Sequence, residues 1–213
     1  MAKITQEMLE AKYLELSSYE NEYAAKGYRA IAGIDEAGRG PLAGPVVAAC
    51  CILDPERPIY GLDDSKKLSE KKREALFPEI KDKALAYAVV AIDAETIDEI
   101  NILEATKKAM SQCVEEISQK VTPDLLLIDA VKLEGVSQEV VPIIKGDAKS
   151  NSIAAASILA KVTRDHMMVE YDSEYPGYGF AKHKGYGTKD HYAAIREQGM
   201  SPIHRRSFLK VIH

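Results

Sequence analysis

The chain has 213 residues, 46% of them hydrophobic and 29% charged, a balance typical of a globular protein with one good core and not of a disordered chain. No apolar run approaches the roughly 20 residues that a membrane span needs, and the acids and amides of residues 1–10 are unlike the apolar stretch of a signal peptide. The sequence therefore predicts a cytoplasmic protein without a membrane partner.

Cysteine usage and charge narrow the chemistry further. Net charge is −5, which alone argues against a nucleic-acid partner. From Lys145 onward, however, 11 Lys and Arg stand against 7 Asp and Glu, which leaves 17 against 26 for residues 1–144. A polyanion could dock on this basic part while acids elsewhere hold cations, and an uneven surface without a partner is the alternative. An odd number of cysteines without a CxxC pair predicts buried packing residues: Cys50, Cys51 and Cys113.

The N-terminal part predicts one helix and then two strands. Apolar residues recur at helical spacing between Thr5 and Ala25, and Gly27 supplies a stop. Tyr28 to Asp35 and Gly44 to Leu53 are typical of buried strands. The short glycine-rich loop between them, residues 38–41, favours antiparallel pairing.

The next segment predicts a helix, a strand and a second helix. Ser69 is a candidate N-cap for a helix to about Lys83, and Leu85 to Ile92 is typical of a strand. Asn101 with Glu104 resembles a capping box. The helix that follows carries one apolar face, formed by Ile102, Ala109, Met110, Cys113 and Ile117.

The last third predicts helices separated by a loop. A run rich in small residues, Ile153 to Met168, predicts a helix that packs closely on the sheet. A loop rich in Gly and Tyr follows from Tyr175 to Gly187. Thr188 is a candidate N-cap for a last helix that ends near Gly199, and residues 204–206 form a basic tail.

Three apolar strands end in acids, and this recurrence is the main functional indication. Ile34 leads to Asp35, Leu125 to Ile128 leads to Asp129, and Val140 to Ile144 leads to Asp147. Acids at strand ends of an α/β sheet lie where ligands usually bind. Carboxylates without Cys or His suit Mg²⁺ or Mn²⁺, and two such ions roughly 3.5 to 4 Å apart can catalyse phosphoryl displacement. Each acid taken singly could instead be a solvated cap or turn residue.

Two further acids need separate treatment. Adjacent strand residues point to opposite faces, so Asp35 and Glu36 share a site only if the strand ends or bulges between them, which the following glycines favour. Asp165 is a rival ligand, but it lies about 20 Å along the helix from Ser152. Asp147 is therefore the better choice. Four more acids are interpreted as loop and cap residues: Asp63, Asp64, Asp93 and Glu95.

The string from Asp35 to Val46, DEAGRGPLAGPV, resembles the signature of the ribonuclease HII family. The match extends from about Tyr28 to Phe208. Further blocks that are similar to those of the family, in its order, are Leu62 to Leu68, Gly146 to Asp147, Ile153 to Val162, Tyr178 to Phe180, His183 to Thr188 and His204 to Phe208.

The resemblance implies an α/β fold with a ribonuclease H-like mixed sheet flanked by helices. It implies an N-terminal helical extension over residues 1–27 and a catalytic domain over residues 28–213, which includes a C-terminal helical substrate-binding segment. The implied enzyme is a metal-dependent endonuclease of ribonucleotide excision repair. It cuts 5′ to ribonucleotides, in RNA/DNA hybrids and at single ribonucleotides in duplex DNA, by a two-metal-ion mechanism that leaves 3′-hydroxyl and 5′-phosphate ends.

The resemblance also assigns roles to individual residues. The four metal-binding acids map onto Asp35, Glu36, Asp129 and Asp147, with two Mg²⁺ or Mn²⁺ ions as cofactors. Backbone groups of Gly38, Arg39 and Gly40 are implied to sense the 2′-hydroxyl, while Tyr186 packs against the sugar. Phosphate contacts are expected from Ser65, Lys66 and Lys67, for which a solvated loop is the alternative.

Six residues near the C-terminus have weaker assignments. Arg205 and Arg206 are candidates to grip the nucleic-acid backbone, for which a solvated tail is the alternative. Tyr178 and Phe180 favour core packing over base stacking. Phosphate-binding or structural roles, and not metal ligation, are expected of His183 and His204.

Two rival functions stay open at this point. One is a related two-metal nuclease with another substrate preference, such as a ribonuclease HIII-like enzyme, and the other is a catalytically silent nucleic-acid-binding module. A nucleotide switch is disfavoured because the chain lacks a GxxxxGK[ST] loop. A monomer is expected, and the sequence does not decide whether a replication clamp recruits the protein.

Overall fold

A five-stranded mixed sheet forms the centre of the computed structural model, which describes residues 5–209. The strand order is β3-β2-β1-β4-β5. Strands β3, β2 and β1 pair antiparallel, whereas β1, β4 and β5 pair parallel. The strands are β1 (Ile31–Ala37), β2 (Val46–Ile52), β3 (Ala86–Ile92), β4 (Leu125–Asp129) and β5 (Glu139–Ile143).

Eight α-helices surround the sheet within residues 5–209. Most begin with a polar side chain that accepts a hydrogen bond from the first turn, as at Ser69, Asp93 and Thr188. The helices are α1 (Gln6–Leu16), α2 (Ser18–Ala25), α3 (Glu70–Lys83), α4 (Ala94–Ile100), α5 (Ile102–Ser118), α6 (Asn151–Glu174), α7 (Phe180–His183) and α8 (Lys189–Gln198). None of these helices is long and apolar enough to cross a membrane.

Two helices cover the two faces of the sheet. The apolar face of α5 packs on the even-numbered residues of β1 and β2, such as Ile34 and Ala48. The alanines of α6 pack on the odd-numbered residues, such as Val47 and Ala49. Strand β2 is therefore buried along its whole length, in agreement with its continuous apolar sequence. The three cysteines are free and buried, as predicted.

Helix α6 approaches β1 as closely as a backbone can. A β-carbon added at Gly33 would lie 2.0 Å from the carbonyl carbon of Ser152 and 2.2 Å from the nitrogen of Ile153. Because only glycine leaves this space, the helix can begin directly against the strand that carries Asp35.

The ends of several elements differ from the predicted ones. The predicted single N-terminal helix is wrong, because it breaks at Ser17, whose hydroxyl donates to the Tyr13 carbonyl and accepts from Asn151. Helix α6 is longer than predicted and extends from Asn151 to Glu174. Strand β5 ends one residue earlier than predicted, and this leaves the Ile144 side chain 74% exposed.

Two short helices were not predicted. Helix α4 follows β3 directly, and the Asp93 side chain, which accepts from the Thr96 amide, caps it. Helix α7 lies inside the predicted loop between Tyr175 and Gly187. Both are too short for their apolar periodicity to stand out in the sequence.

The close contact at Gly33 gives a stability prediction. The Gly33→Ala variant should lose about 3 kcal/mol or more of its free energy of unfolding, because the added methyl group overlaps backbone atoms that cannot rotate away. Urea denaturation measures this loss. Gly135→Ala is the control: its added methyl group meets nothing within 4 Å, although its φ of +80° is strained, so it should lose only about 1 kcal/mol. Equal losses in the two variants would contradict the close approach of α6.

Candidate active site

Three of the four predicted acids meet at the carboxyl edge of the sheet. Asp35 lies near the end of β1, Asp129 ends β4, and Asp147 lies in a 3₁₀ turn, Gly146–Ala148, that follows β5. One carboxylate oxygen from each acid lies within 4.8 Å of the others. Within residues 5–209 no other set of three His, Cys, Asp or Glu side chains has this spacing.

The parallel register of β1 and β4 brings the first two acids together. Ile34 is paired with Ile128, so Asp35 and Asp129 follow at the same level of the sheet. The Asp129 carboxylate accepts a hydrogen bond of 2.7 Å from the Gly146 amide. This bond fixes the turn that presents Asp147 to the other two acids.

Asp35 is the most buried of the predicted ligands. It is 5% exposed, and burial raises the pKa of Asp35 well above its usual range, with the negative charges of Glu36 and Asp129 adding to the rise. The amide of Glu36, which donates to Asp35 at 2.7 Å, opposes the rise only in part. Burial and the neighbouring acids therefore disfavour the charged form of this carboxylate.

Glu36 lies next to the three-acid group but is not a member of it. Strand β1 neither ends nor bulges between Asp35 and Glu36, since both pair regularly with β2, and the expectation of an interruption there is wrong. The Oε1 atom of Glu36 lies 3.4 Å from Nη1 of Arg39. Its Oε2 atom is buried without a hydrogen-bond partner among the residues that the structure describes. Burial raises the pKa of Glu36, and Arg39 opposes the rise.

Asp147 has a further acidic neighbour that the sequence interpretation missed. Burial raises the pKa of Asp147 to about 6, and the charges of Asp64 and Asp129 contribute to the rise. Asp64 was interpreted as a loop residue, and it does accept a hydrogen bond from the Lys66 amide within its loop. It also lines the same depression as Asp129 and Asp147. The position of Asp64 beside Asp129 and Asp147 depends on how this loop packs near the end of β4. That packing is a tertiary property, so the sequence did not show it.

The rival ligand Asp165 is outside the three-acid group. Its carboxylate lies 2.6 Å from the Lys161 ammonium and 3.9 Å from the Arg73 guanidinium. The preference for Asp147 on grounds of distance along α6 agrees with this placement.

The three residues predicted to contact phosphates occupy different environments. Ser65 is buried, and its hydroxyl accepts a 2.7 Å hydrogen bond from Ser157. Lys66 lines both depressions that hold the acids. Burial alone lowers the pKa of Lys66, but the charges of the surrounding acids outweigh this effect and the pKa is raised. Lys67 is exposed and lies 3.7 Å from Asp63.

The glycine-rich loop and Tyr186 form one wall of the groove that contains Asp35. This groove, of about 260 Å³, is lined by Gly38, Arg39, Gly40 and Tyr186 together with Asp35 and Glu36. The Tyr186 ring lies 3.8 Å from where a β-carbon of Gly40 would be, and the residue is 48% exposed. Gly38 has a φ of +94° and no room for a side chain.

Two arginines support this wall from inside. Arg164 donates to the carbonyls of Ala43, Pro45 and Lys184, and Arg205 donates to four carbonyls of residues 38–44. Both are almost fully buried. Both interpretations of Arg205, a grip on nucleic acid and a solvated tail, are therefore wrong, whereas Arg206 is exposed. In the sequence, each of these arginines is simply a cation within an apolar or motif-like stretch. That pattern does not distinguish a buried arginine from an exposed one.

The remaining C-terminal assignments are settled by burial. Tyr178 and Phe180 stack with ring centroids 5.2 Å apart in a buried cluster, which confirms core packing. His183 and His204 are buried, and their ring nitrogens bond to protein atoms, so they are structural groups and not phosphate ligands.

Comparison with known families and structures identifies the family of this chain. The family model described as ribonuclease HII matches residues 32–211. A ribonuclease HII of Ruminiclostridium cellulolyticum is 57% identical over 196 residues, which cover 92% of this chain and 76% of that protein.

Solved structures of archaeal relatives share the fold. The ribonuclease H2 of Pyrococcus horikoshii superposes with a TM-score of 0.70 at 28% identity, over 84% of this chain and 93% of that one. The ribonuclease HII of Archaeoglobus fulgidus, solved in a complex with PCNA, has a TM-score of 0.68 at 26% identity, over 87% and 97%. The mixed sheet flanked by helices is thus the ribonuclease H fold. The chain therefore belongs to the ribonuclease HII family, a family of metal-dependent endoribonucleases.

Proposed function

We propose that this enzyme hydrolyses the phosphodiester on the 5′ side of ribonucleotides, both in RNA/DNA hybrids and at single ribonucleotides embedded in duplex DNA. In this proposal Asp35, Glu36, Asp129 and Asp147 hold two divalent cations, Mg²⁺ or Mn²⁺. The observation that carries it is the meeting of three carboxylate oxygens within 4.8 Å at the edge of the sheet.

The donor set fits hard divalent cations. All candidate ligands are carboxylates, which Mg²⁺ and Mn²⁺ prefer over the Cys and His ligands typical of Zn²⁺. The raised pKa values of Asp35 and Asp147 reflect burial and mutual repulsion, and a bound cation would relieve the repulsion. The unpartnered buried Oε2 of Glu36 offers a further ligand atom. Bound ions of this kind activate a water molecule and stabilise the leaving oxygen of an in-line displacement, so no histidine base is required.

The residues around the acids support a nucleic-acid substrate. Lys66, which lies between the two depressions, and Lys67 beside it can position phosphates without reading base identity. Phosphate contacts of this type make binding weaken as salt increases. Ser65, which is buried, would act by fixing the loop that carries the two lysines.

The ribonucleotide itself would be sensed at the opposite wall. Glycines at positions 38 and 40 allow the backbone of this loop, including Arg39, to approach a sugar closely. The 2′-hydroxyl can donate and accept hydrogen bonds, which is what distinguishes RNA from DNA at such a surface. The half-exposed Tyr186 ring lies next to Gly40 and offers an apolar face for the sugar.

The division into an extension and a catalytic domain is part of the proposal. Residues 1–27 would form an extension that is fastened to the catalytic part, because Glu20 accepts from the hydroxyls of Ser150 and Ser152 and from the Ser152 amide. The side chain of Asn151 donates to the Tyr13 carbonyl at 2.9 Å. A monomer as the working unit is likewise part of the proposal.

A cleavage assay tests the proposed substrate. A duplex with one ribonucleotide and a long RNA/DNA hybrid should both be cut in Mg²⁺ or Mn²⁺, with 3′-hydroxyl and 5′-phosphate ends, whereas all-DNA duplex should remain intact. Addition of EDTA should stop cleavage. If the single-ribonucleotide duplex stays uncut while hybrids are cut, the preference resembles another type of ribonuclease H and this part of the proposal fails.

The Asp35→Asn variant tests the site. It should lose at least about 10³-fold in kcat, equivalent to about 4 kcal/mol of transition-state stabilisation, with substrate binding largely kept. Asp165→Asn is the matched control, since it removes the rival ligand and should retain activity within about tenfold. Full turnover in Asp35→Asn would contradict the site assignment. Loss of activity in Asp165→Asn alone would instead assign Asp165 as the ligand.

The repulsion among the acids predicts a pH-dependent stability of the metal-free protein. The pKa of Asp147 is raised on folding, so its destabilising effect is absent below the unfolded value of about 4 and complete above about 6. At pH 7 in EDTA, Asp147→Asn should therefore melt higher than wild type, by about 2 to 4 °C for each kcal/mol of relieved repulsion. The difference should shrink at pH 4.

The control for this measurement is Asp190→Asn, because Asp190 is exposed and its one ion pair within residues 5–209 is with Lys182 on the surface. Its melting temperature should follow wild type at both pH values. Addition of Mn²⁺ should raise the melting temperature of wild type more than that of Asp147→Asn. A lower melting temperature of metal-free Asp147→Asn at pH 7 would contradict the repulsive cluster.

A further inference from the structure

Three segments meet behind the wall formed by the glycine-rich loop and Tyr186. They are the loop itself, the turn before Tyr186, and residues 201–208, which include the predicted basic tail of residues 204–206. Main-chain bonds join them: the Leu42 amide donates to Gly185, the Arg205 amide to Leu42, and the Gly44 amide to Ile203, each at 2.8 Å. Residues 201–208 thus contact the main chain on the inner side of the wall.

The Arg205 side chain is directed entirely at the glycine-rich loop. Its Nε donates to the Gly44 carbonyl at 3.0 Å, and its Nη1 donates to Arg39 and Pro41 at 3.0 and 2.9 Å. Its Nη2 donates to the Gly38 carbonyl at 2.6 Å. The planar guanidinium therefore fixes four carbonyls of one short loop, a geometry that a lysine ammonium with three donors cannot reproduce.

The charge of Arg205 makes this arrangement costly. The residue is 0% exposed, and within residues 5–209 no carboxylate lies within 4 Å of its guanidinium. Burial and the charge of Arg164 lower the pKa of Arg205 to about 9, so it remains protonated at neutral pH. Burial of a cation without an ionic partner is destabilising unless hydrogen bonds offset it. The four hydrogen bonds to main-chain carbonyls supply this offset, which points to a role in shaping the loop.

His204, the neighbour of Arg205, connects to Tyr186 through a defined chain of hydrogen bonds. The His204 Nδ1 atom accepts from the Ser201 amide at 2.9 Å, so its proton is on Nε2. This Nε2–H donates to Nε2 of His191 at 3.0 Å, which leaves the His191 proton on Nδ1. That Nδ1–H donates to the Tyr186 carbonyl at 2.9 Å.

This chain of bonds requires neutral histidines. Protonation of His191 on Nε2 would place two N–H groups against each other across the 3.0 Å contact with His204. Protonation of His204 on Nδ1 would place an N–H group against the Ser201 amide N–H at 2.9 Å. Burial lowers the pKa of His204 to about 4 and lowers the pKa of His191 as well. The packed neighbours are Phe180 and Tyr178, with His183 stacked on His191. The Tyr186 backbone is thus held in one position at neutral pH.

We propose that Arg205 and His204 are positioning residues for ribonucleotide recognition. Arg205 sets the path of the glycine-rich loop, and His204, acting through His191, sets the position of Tyr186. One segment thereby aligns both halves of the surface that distinguishes a ribonucleotide from a deoxyribonucleotide. This inference rests on the proposed function and adds residues that do not touch the substrate.

The test compares Arg205→Lys with Arg196→Lys, which changes an exposed arginine in the last turn of α8, both in an Asp35→Asn background that does not cut. Binding is measured for a duplex with one ribonucleotide and for the same duplex in all-DNA form. Arg205→Lys should lower the preference for the ribonucleotide by about tenfold, with affinity for all-DNA duplex kept. Arg196→Lys should leave the preference unchanged. Full preference in a folded Arg205→Lys protein overturns the proposal, as does equal weakening on both duplexes.

If Arg205→Lys does not fold, a second pair of variants tests the proposal. His204→Gln places an amide N–H near the position of Nε2, whereas His204→Asn does not reach it. The preference for the ribonucleotide should survive in the Gln variant and fall in the Asn variant, at comparable melting temperatures. Equal preferences in the two variants overturn the proposal. If the Asp35→Asn parent itself shows no preference for the ribonucleotide, the proposed function fails, because that parent still contains Arg205 and His204.

Discussion

The repulsion among carboxylates at the edge of the sheet is the constraint on which the rest of the structure depends. Parallel pairing of β1 with β4 sets Asp35 beside Asp129, and the turn after β5 adds Asp147. Within residues 5–209 no Lys, Arg or His side chain pairs with these three acids, although Lys66 lies close enough for the acids to raise its pKa. The fold has to hold the acids together against their charges, and a buried sheet with fixed register is suited to that, because slipping by one residue would turn the residues that face α5 toward α6 and the reverse.

Helix α6 is the element through which this constraint reaches the rest of the molecule. Its start is fastened to the N-terminal helices by Glu20 and pressed against β1 at Gly33. One turn further, Ser157 lies beside Asp35 and donates a hydrogen bond to Ser65, in the loop that carries Lys66 and Lys67. Near its middle, Arg164 holds the carbonyls next to the glycine-rich loop. A single rigid helix therefore sets the distances between the acids, the loop that carries Lys66 and Lys67, and the wall formed by the glycine-rich loop and Tyr186.

The sequence was sufficient for features with a local or periodic origin. Continuous apolar runs predicted the strands, Ser69 and Thr188 predicted helix starts, and acids after apolar runs predicted the three-acid group. Features that depend on tertiary contacts were not predictable in this way. The position of Asp64 over Asp147, the regular pairing of Glu36 and the helix break at Ser17 all depend on neighbours that are distant in the chain. Arg205 is the clearest case, since a basic residue near a C-terminus is usually solvated.

The placement of the arginines also changes how the charge of the chain should be understood. Two of the cations that give the C-terminal part its positive balance, Arg164 and Arg205, are inside the protein and not on a docking surface. Their charges lie behind the glycine-rich loop, where fields are screened less than at the surface. An acidic protein can therefore attract a phosphate backbone at one wall of an acidic groove without a broad basic patch. The local distribution of charge, and not its total, decides which polyanion binds and where.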